Sequence, residues 1–143
     1  MVSSDYRGSF VDGLMDGYGQ LTLKNGTTYT GEWKKGLKHG QGHLVAVGDA
    51  GPIVDPNHNT GYLLEYEGMW YYDTMHGKGL LKYESGFWYE GDFSHGQKQG
   101  HGKETMLRDA ERVVVFEGLF EGGDRVGPDW NAIDGLRQHI VTP

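Results

Sequence analysis

The sequence predicts an all-β protein: an elongated, single-layer antiparallel meander of tandem β-hairpins with a short C-terminal cap. Three observations support this prediction. The 143-residue chain contains 25 glycines, well over twice the average share of about 7 %, and it also contains 4 Trp, 9 Tyr and 5 Phe. An aromatic-x-Gly-x-aromatic unit occurs five times. Turn dipeptides such as Asn25-Gly26 and Ser85-Gly86 lie between units.

The repeated unit begins with Tyr or Phe at positions 6, 29, 66, 89 and 116. The intervals are 23, 37, 23 and 27 residues, so the period is 23 with insertions of 14 and 4. Most copies continue with a glycine seven residues after the leading ring and then with a Gly-x-Gly pair. Asp73 replaces that single glycine in the third copy, and the fifth copy lacks the pair. Because side chains alternate along a strand, each unit is predicted to be a hairpin with its rings and glycines on one face.

The pattern Tyr-x-Gly-x-Phe/Trp-x-x-Gly, followed by Gly-x-Gly, closely resembles the MORN repeat over about residues 6 to 123. The resemblance implies a twisted single-layer sheet with a shallow aromatic groove, used for protein contacts and often found in cytoskeletal or membrane-associated scaffolds. On this basis residues 1–143 form one array, with a loop insertion at 47–61 and a C-terminal cap at 127–143. Glu104 departs from the pattern, since the equivalent positions carry leucine.

The loop insertion is rich in Gly and Pro, which is typical of a loop. Within it, Asp55-x-Asn57-x-Asn59 is similar to the start of an EF-hand calcium loop. Thr60 stands where that loop requires glycine, so an ordinary Asx-turn loop is favoured. The shorter insertion, around residues 108–111, predicts a longer hairpin turn.

Apolar residues in the C-terminal segment recur at spacings near three and four, at Trp130, Ile133, Leu136 and Ile140. This spacing predicts a short helix that Asp129 caps. Because the end of a repeat array leaves apolar surface uncovered, we expect this helix to cover it.

The groove predicts a binding site for an amphipathic helix or an extended segment of a protein partner. Its residues are Tyr29, Trp33, Tyr66, Trp70, Tyr89 and Phe93. Trp88 and Tyr71 directly neighbour groove rings along the chain, so they point to the opposite face. These two rings are either buried by the loop insertion or available to a partner, in which case they form the alternative partner-binding site.

The net charge of −7 disfavours nucleic acid and membrane surfaces as partners. The basic cluster Lys34, Lys35 and Lys38 leaves a lipid-headgroup site as an open alternative.

The incomplete fifth repeat leaves an edge strand from Val113 to Phe120, which predicts a homodimer through the terminal repeats. With no apolar run for a membrane span or signal peptide and no cysteine, we expect a cytoplasmic protein. The resemblance to MORN repeats adds the expectation of a location on the cytoskeleton or in a cilium or flagellum.

Two sets of polar residues have the residue types needed for catalysis or metal binding. Glu67, Glu90 and Glu117 share one repeat position, and strands two apart place such carboxylates at about the spacing of an inverting glycosidase pair. A solvated acidic face is the better interpretation, because every ladder has this spacing. Pairs of histidines could bind zinc: His39 with His76, and His95 with His101.

We therefore expect no catalytic residues, no metal site and no cofactor. The predicted function is that of a non-enzymatic protein-interaction scaffold or adaptor. The alternatives are an accessory regulatory module of a larger enzyme assembly and a lipid-surface binding module.

Overall fold

The computed structural model describes residues 4–48 and 62–132, which form one ten-stranded antiparallel sheet. Neighbouring strands in the sheet are also neighbours in sequence, as expected for a meander. The strands are β1 Ser4–Val11, β2 Leu14–Leu23, β3 Thr28–Lys34, β4 Leu37–Val45, β5 Leu63–Tyr71, β6 Thr74–Tyr83, β7 Trp88–Ser94, β8 Gln97–Arg108, β9 Glu111–Glu121 and β10 Asp124–Val126. The predicted all-β, single-layer meander of hairpins is confirmed.

Two-residue turns close the hairpin of each repeat, and both turn residues have positive φ. In the fourth repeat they are His95 and Gly96, with φ of 52° and 81°. This is the geometry of a type I′ turn, whose twist matches that of the flanking strands. In the third repeat Asp73 takes the glycine position with φ of 73°. Its carboxylate accepts a hydrogen bond from the backbone N–H of Lys38 (2.8 Å), which offsets the strain of that conformation.

The second glycine of each Gly-x-Gly pair makes room for a tyrosine ring. A Cβ on Gly79 would overlap the ring of Tyr66, and the same is true of Gly42 beneath Tyr29. The strand register aligns these glycines with the glycines of the aromatic-x-Gly-x-aromatic units, so that one row of glycines crosses nine strands. The row consists of Gly8, Gly19, Gly31, Gly42, Gly68, Gly79, Gly91, Gly102 and Gly118. Each leading tyrosine thus lies flat on bare backbone.

The first glycine of each pair has a different role, because it lies in a β-bulge. The register shifts between Gly31 and Trp33, and the extra residues on the facing strand include Gly40, whose φ is 96°. The tyrosine hydroxyl donates to a backbone carbonyl at this irregularity, from Tyr29 to Glu32 O at 2.9 Å. Glycine is favoured at the bulge because its backbone is left-handed there.

The core lies on one face of the sheet, here called the core face. Ten rings form a continuous chain of edge-to-face contacts across it, with centroids 4.9 to 5.7 Å apart. In order they are Phe10, Tyr6, Trp33, Tyr29, Trp70, Tyr66, Phe93, Tyr89, Phe120 and Phe116. We call this set the ring chain. It links every repeat to the next.

The insertions behave differently from each other. The insertion around residues 108–111 was predicted to lengthen a turn, and this is wrong: the turn is the two residues Asp109 and Ala110, both with positive φ. The added residues extend β8 and β9 instead. Of the loop insertion at 47–61, residues 49–61 lie outside the described part, and the calcium-loop residues fall among them.

Residues 130–132 are helical, but Ile133, Leu136 and Ile140 of the predicted cap also lie outside the described part. Among the described residues there is no helix with the length and apolar character needed to cross a membrane.

The tyrosine and glycine contacts predict the effect of two single substitutions. Alanine in place of glycine normally stabilises a regular strand by about 0.5 to 1 kcal/mol. Gly79→Ala should nevertheless destabilise the protein by about 1 to 3 kcal/mol, because its methyl group overlaps the Tyr66 ring. Tyr66→Phe keeps the ring and should cost about 1 kcal/mol for the lost hydroxyl bond to Met69 O. Urea unfolding measures both, with the exposed Tyr18→Phe as control; a stabilising Gly79→Ala would contradict this packing.

Burial of the ring chain also predicts alkaline unfolding. Burial raises the pKa of Tyr29 and Tyr66 well above the ordinary value. The folded chain then holds these protons more tightly than the unfolded chain. Their contribution to stability is fully present below the unfolded-state pKa of about 10 and falls as the pH rises above it. Urea midpoints should drop steeply above about pH 10, with tyrosinate absorbance appearing in the same transition; tyrosinate formation in a still folded chain would show the rings to be accessible.

Candidate functional site

The six predicted groove residues all lie in the ring chain. Their side chains are 0 to 4 % exposed, with Tyr66 and Tyr89 fully buried. Each leading tyrosine packs against the second ring of its own repeat and of the next, as Tyr29 does against Trp33 (4.9 Å) and Trp70 (5.5 Å). These contacts account for their burial. A partner-binding role for the six residues stays a prediction.

Trp33 and Trp70 differ in one polar contact. Trp33 donates its Nε1–H to Gly19 O at 3.1 Å. Trp70 Nε1 is buried and has no hydrogen-bond partner among the described residues. An unpaired buried donor costs about 1 to 3 kcal/mol. The described residues around Trp70 therefore pack against its ring but provide no acceptor for its Nε1–H.

The departure at Glu104 is explained by two cations that the sequence did not single out. Glu104 takes the leucine position on the core face and is buried. Its carboxylate accepts from Arg125 Nε at 2.6 Å and lies 3.4 Å from Lys98 Nζ. Lys98 is 1 % exposed and its ammonium lies over the Tyr89 ring. A buried carboxylate requires such partners, so these three residues act as a structural unit.

The two alternative site residues lie in different surroundings on the opposite side of the sheet, here called the second face. Trp88 is half-buried between Arg112, whose guanidinium carbon is 3.7 Å from the ring centroid, and Lys82 at 4.5 Å. Tyr71 is exposed. Its ring contacts His39 at 5.1 Å and His76 at 5.6 Å.

The histidines next to the Gly-x-Gly pairs join one repeat to the next. His39 Nδ1 accepts from the backbone N–H of Tyr72 (3.2 Å), in the turn of the following repeat. His76 does the same for His95 N at 3.5 Å. The same position carries Asp16 in the first repeat and Gln99 in the fourth, and both accept from the next turn at 3.1 Å. Four different repeats thus use one kind of inter-repeat hydrogen bond, and what the position requires is an acceptor.

The proposed zinc pairs are not brought together as ligand sets. Tyr71 lies between His39 and His76. His95 contacts His76, whereas His101 binds the Glu117 carboxylate and packs against Trp130. In residues 4–48 and 62–132, no group of three or more His, Asp or Glu side chains is placed to hold a metal ion.

The carboxylates of one repeat position line a trough on the second face. The trough has a volume of about 600 Å³ and crosses β4 to β9. Glu67, Glu90 and Glu117 lie along it, on every second strand. Its floor is the bare backbone of Gly68, Gly79 and Gly91. The glycine row that receives the tyrosine rings on one face therefore leaves a channel on the other.

Lys78, Lys103 and His101 also line the trough and offset part of the charge of its three glutamates. Glu90 is exposed and its nearest cation is Lys103 Nζ at 3.9 Å. Glu117 pairs with His101 at 3.0 Å, and Lys78 pairs with Asp92 at 2.7 Å. Glu67 is exposed and makes no ion pair within the described residues. The sequence revealed this ladder by its repeat position but not the trough around it.

The fold and the repeated inter-repeat contacts define a tandem-repeat protein of the hairpin type. The family model for the MORN repeat matches residues 6–28, 29–47, 66–87 and 89–106, and the chain belongs to the MORN-repeat family. MORN repeats are commonly protein or lipid interaction modules. A comparison with curated proteins found no match.

The inter-repeat acceptor predicts how His39 tolerates substitution. His39→Gln keeps an acceptor, as Gln99 does naturally, and should change the free energy of unfolding by less than about 0.5 kcal/mol. His39→Leu should cost about 1 kcal/mol, because the Tyr72 N–H loses its partner. Urea unfolding with and without EDTA makes the comparison. Stabilisation by added zinc that both variants lose would identify a metal ligand instead.

Proposed function

We propose that this chain is a non-enzymatic protein-interaction scaffold or adaptor whose partner lies in the trough on the second face. The observation that carries the proposal is the open trough of about 600 Å³, in which three glutamates form a regular row beside Lys78 and Lys103. It is supported by the common use of MORN repeats as interaction modules. The burial of the six groove residues directs the proposal to the second face, where the side chains are open to solvent.

The occupant we propose is an extended, basic segment of a partner protein. Carboxylates on every second strand are about 9.6 Å apart, since neighbouring strands are about 4.8 Å apart. A polyproline II segment has three residues per turn and rises about 3.1 Å per residue, so every third side chain returns to the same side at about 9.3 Å. A segment with Lys or Arg at every third residue therefore matches Glu67, Glu90 and Glu117. The net charge of −7 attracts it.

The proposal is non-enzymatic because the carboxylates of the ladder lie in an open trough, and Glu90 and Glu117 pair with cations. The lipid-surface alternative depends on Lys34, Lys35 and Lys38. Two of these are already engaged: Lys38 Nζ is 3.8 Å from Asp73, and Lys34 Nζ lies over the Tyr72 ring. We propose a cytoplasmic location, on the cytoskeleton, where an adaptor of this kind would hold a basic segment.

Binding of a defined peptide tests the proposal. The probe is a fluorescent peptide with Lys at every third residue in a Gly/Ser background, and its match is a peptide of equal charge with Lys at every fifth residue. The triple variant Glu67→Gln, Glu90→Gln, Glu117→Gln should weaken binding of the first peptide at least about tenfold, equivalent to about 1.4 kcal/mol. Fluorescence anisotropy at several salt concentrations gives the dissociation constants.

The matched control is Asp12→Asn, Glu111→Gln, Glu121→Gln, which removes the same charge from exposed positions outside the trough. We expect less than about a threefold change for it, since charges distant from a bound ligand are screened by salt. Equal losses in the two triple variants, or equal affinity for the two peptides, would reduce the effect to general charge attraction and overturn the proposed site.

A further inference from the structure

The first repeat leaves a ring open that every later repeat buries. Phe10 is 59 % exposed, whereas its equivalents Trp33, Trp70, Phe93 and Phe120 are 2 to 4 % exposed. Each equivalent ring is covered by the leading ring of the preceding repeat, as Trp33 is by Tyr6 at 5.7 Å. Phe10 is the first ring of the chain, and among the described residues the Tyr6 ring, at 5.0 Å, is the only aromatic ring that it contacts.

The second face of the first repeat is also unusually apolar. Val11, Leu14 and Tyr18 are all exposed there. Their equivalents in the fourth repeat are polar: Ser94, Gln97 and His101. Apolar residues are therefore exposed on both faces around β1, the outermost strand at this end of the described sheet. An unpaired, exposed edge of this kind pairs readily with another strand.

At the opposite end of the array the last ring and part of the outer strand are covered. Phe116, the last ring of the chain, is buried, and the guanidinium of Arg125 lies 4.8 Å from its centroid. β10 pairs with the end of β9. The Asp129 carboxylate accepts from the backbone N–H of Glu117 at 3.1 Å. Because the described part of this end, up to residue 132, offers no matching open ring, we do not expect a second copy to add head to tail, and the open ends of two copies are the complementary pair.

We propose that β1 pairs antiparallel with β1 of a second copy, in a register centred on Gly8. This register continues the alignment of glycine with glycine found at every junction in the sheet. It sets Tyr6 opposite the second copy's Phe10 and Phe10 opposite the second copy's Tyr6. The ring chain then runs through the junction, and both open rings are covered. The proposal is independent of the trough and of its occupant.

Sedimentation velocity of the full chain over low to high micromolar concentrations tests the proposal. The wild type should dimerise, and Phe10→Glu should raise the dimer dissociation constant at least about tenfold. Leu107→Glu is the matched control: Leu107 is 56 % exposed, on the distant β8–β9 hairpin. Both residues are exposed in the single chain, so neither change should prevent folding. A monomeric wild type, or equal effects of the two variants, would overturn the proposal.

The register is tested by cross-linking, which is simple because the chain has no cysteine. In the proposed register Arg7 lies opposite the second copy's Ser9, and both are exposed. Paired residues on antiparallel strands have Cα atoms about 4.5 to 5.5 Å apart, within reach of a disulfide. A mixture of the single variants Arg7→Cys and Ser9→Cys should give mainly the mixed dimer on oxidation, and each variant alone should give little. Efficient cross-linking of either variant with itself, or no mixed product, would refute the register.

Discussion

The packing of a tyrosine ring on bare glycine backbone is the contact on which the rest of the structure depends. A single-layer sheet has no second layer to bury its side chains, so its core must be made by the rings themselves. The ring of Tyr66 lies on Gly79, and its hydroxyl satisfies the Met69 carbonyl at the bulge. This position then allows the ring to contact Trp70 and Phe93 and so to join two repeats. Any larger residue in place of glycine would occupy the space of the tyrosine ring. This explains why these strands contain glycine, although glycine weakens a regular strand.

Most of the fold could be predicted from the sequence because the pattern is local and repeated. The hairpins follow from the alternation of rings and glycines, and the turns from residues that accept positive φ. What could not be predicted depends on contacts between repeats. The four-residue insertion near Arg108 lengthens two strands rather than their turn, because Asp109 and Ala110 both adopt positive φ. Glu104 departed from the pattern, but its partner Arg125 belongs to the next repeat, so the pattern within one repeat did not indicate that ion pair.

The candidate site shows the same limit. Periodicity identified the ladder of Glu67, Glu90 and Glu117 and the face that carries Tyr71 and Trp88, because both follow from alternation along a strand. It did not reveal how deeply the six groove rings are buried, since burial depends on the rings of neighbouring repeats. The histidines also acquired their role only in three dimensions: the equivalence of Asp16, His39, His76 and Gln99 is visible once each is seen to accept from the next turn.

The two faces of this sheet are coupled through the glycine row. On the core face the row must be bare to receive the rings, and the same absence of side chains forms the floor of the trough on the second face. Residues on the second face can therefore be substituted without disturbing the ring chain, because side chains alternate between the two faces along each strand. A repeat protein built in this way can keep one stabilising face and change its partner through the other. In this chain the ladder positions carry three glutamates, and Arg7 and Thr30 hold the same position in the first two repeats. The row of glutamates is thus confined to the last three repeats, and a basic partner would bind there rather than along the whole array.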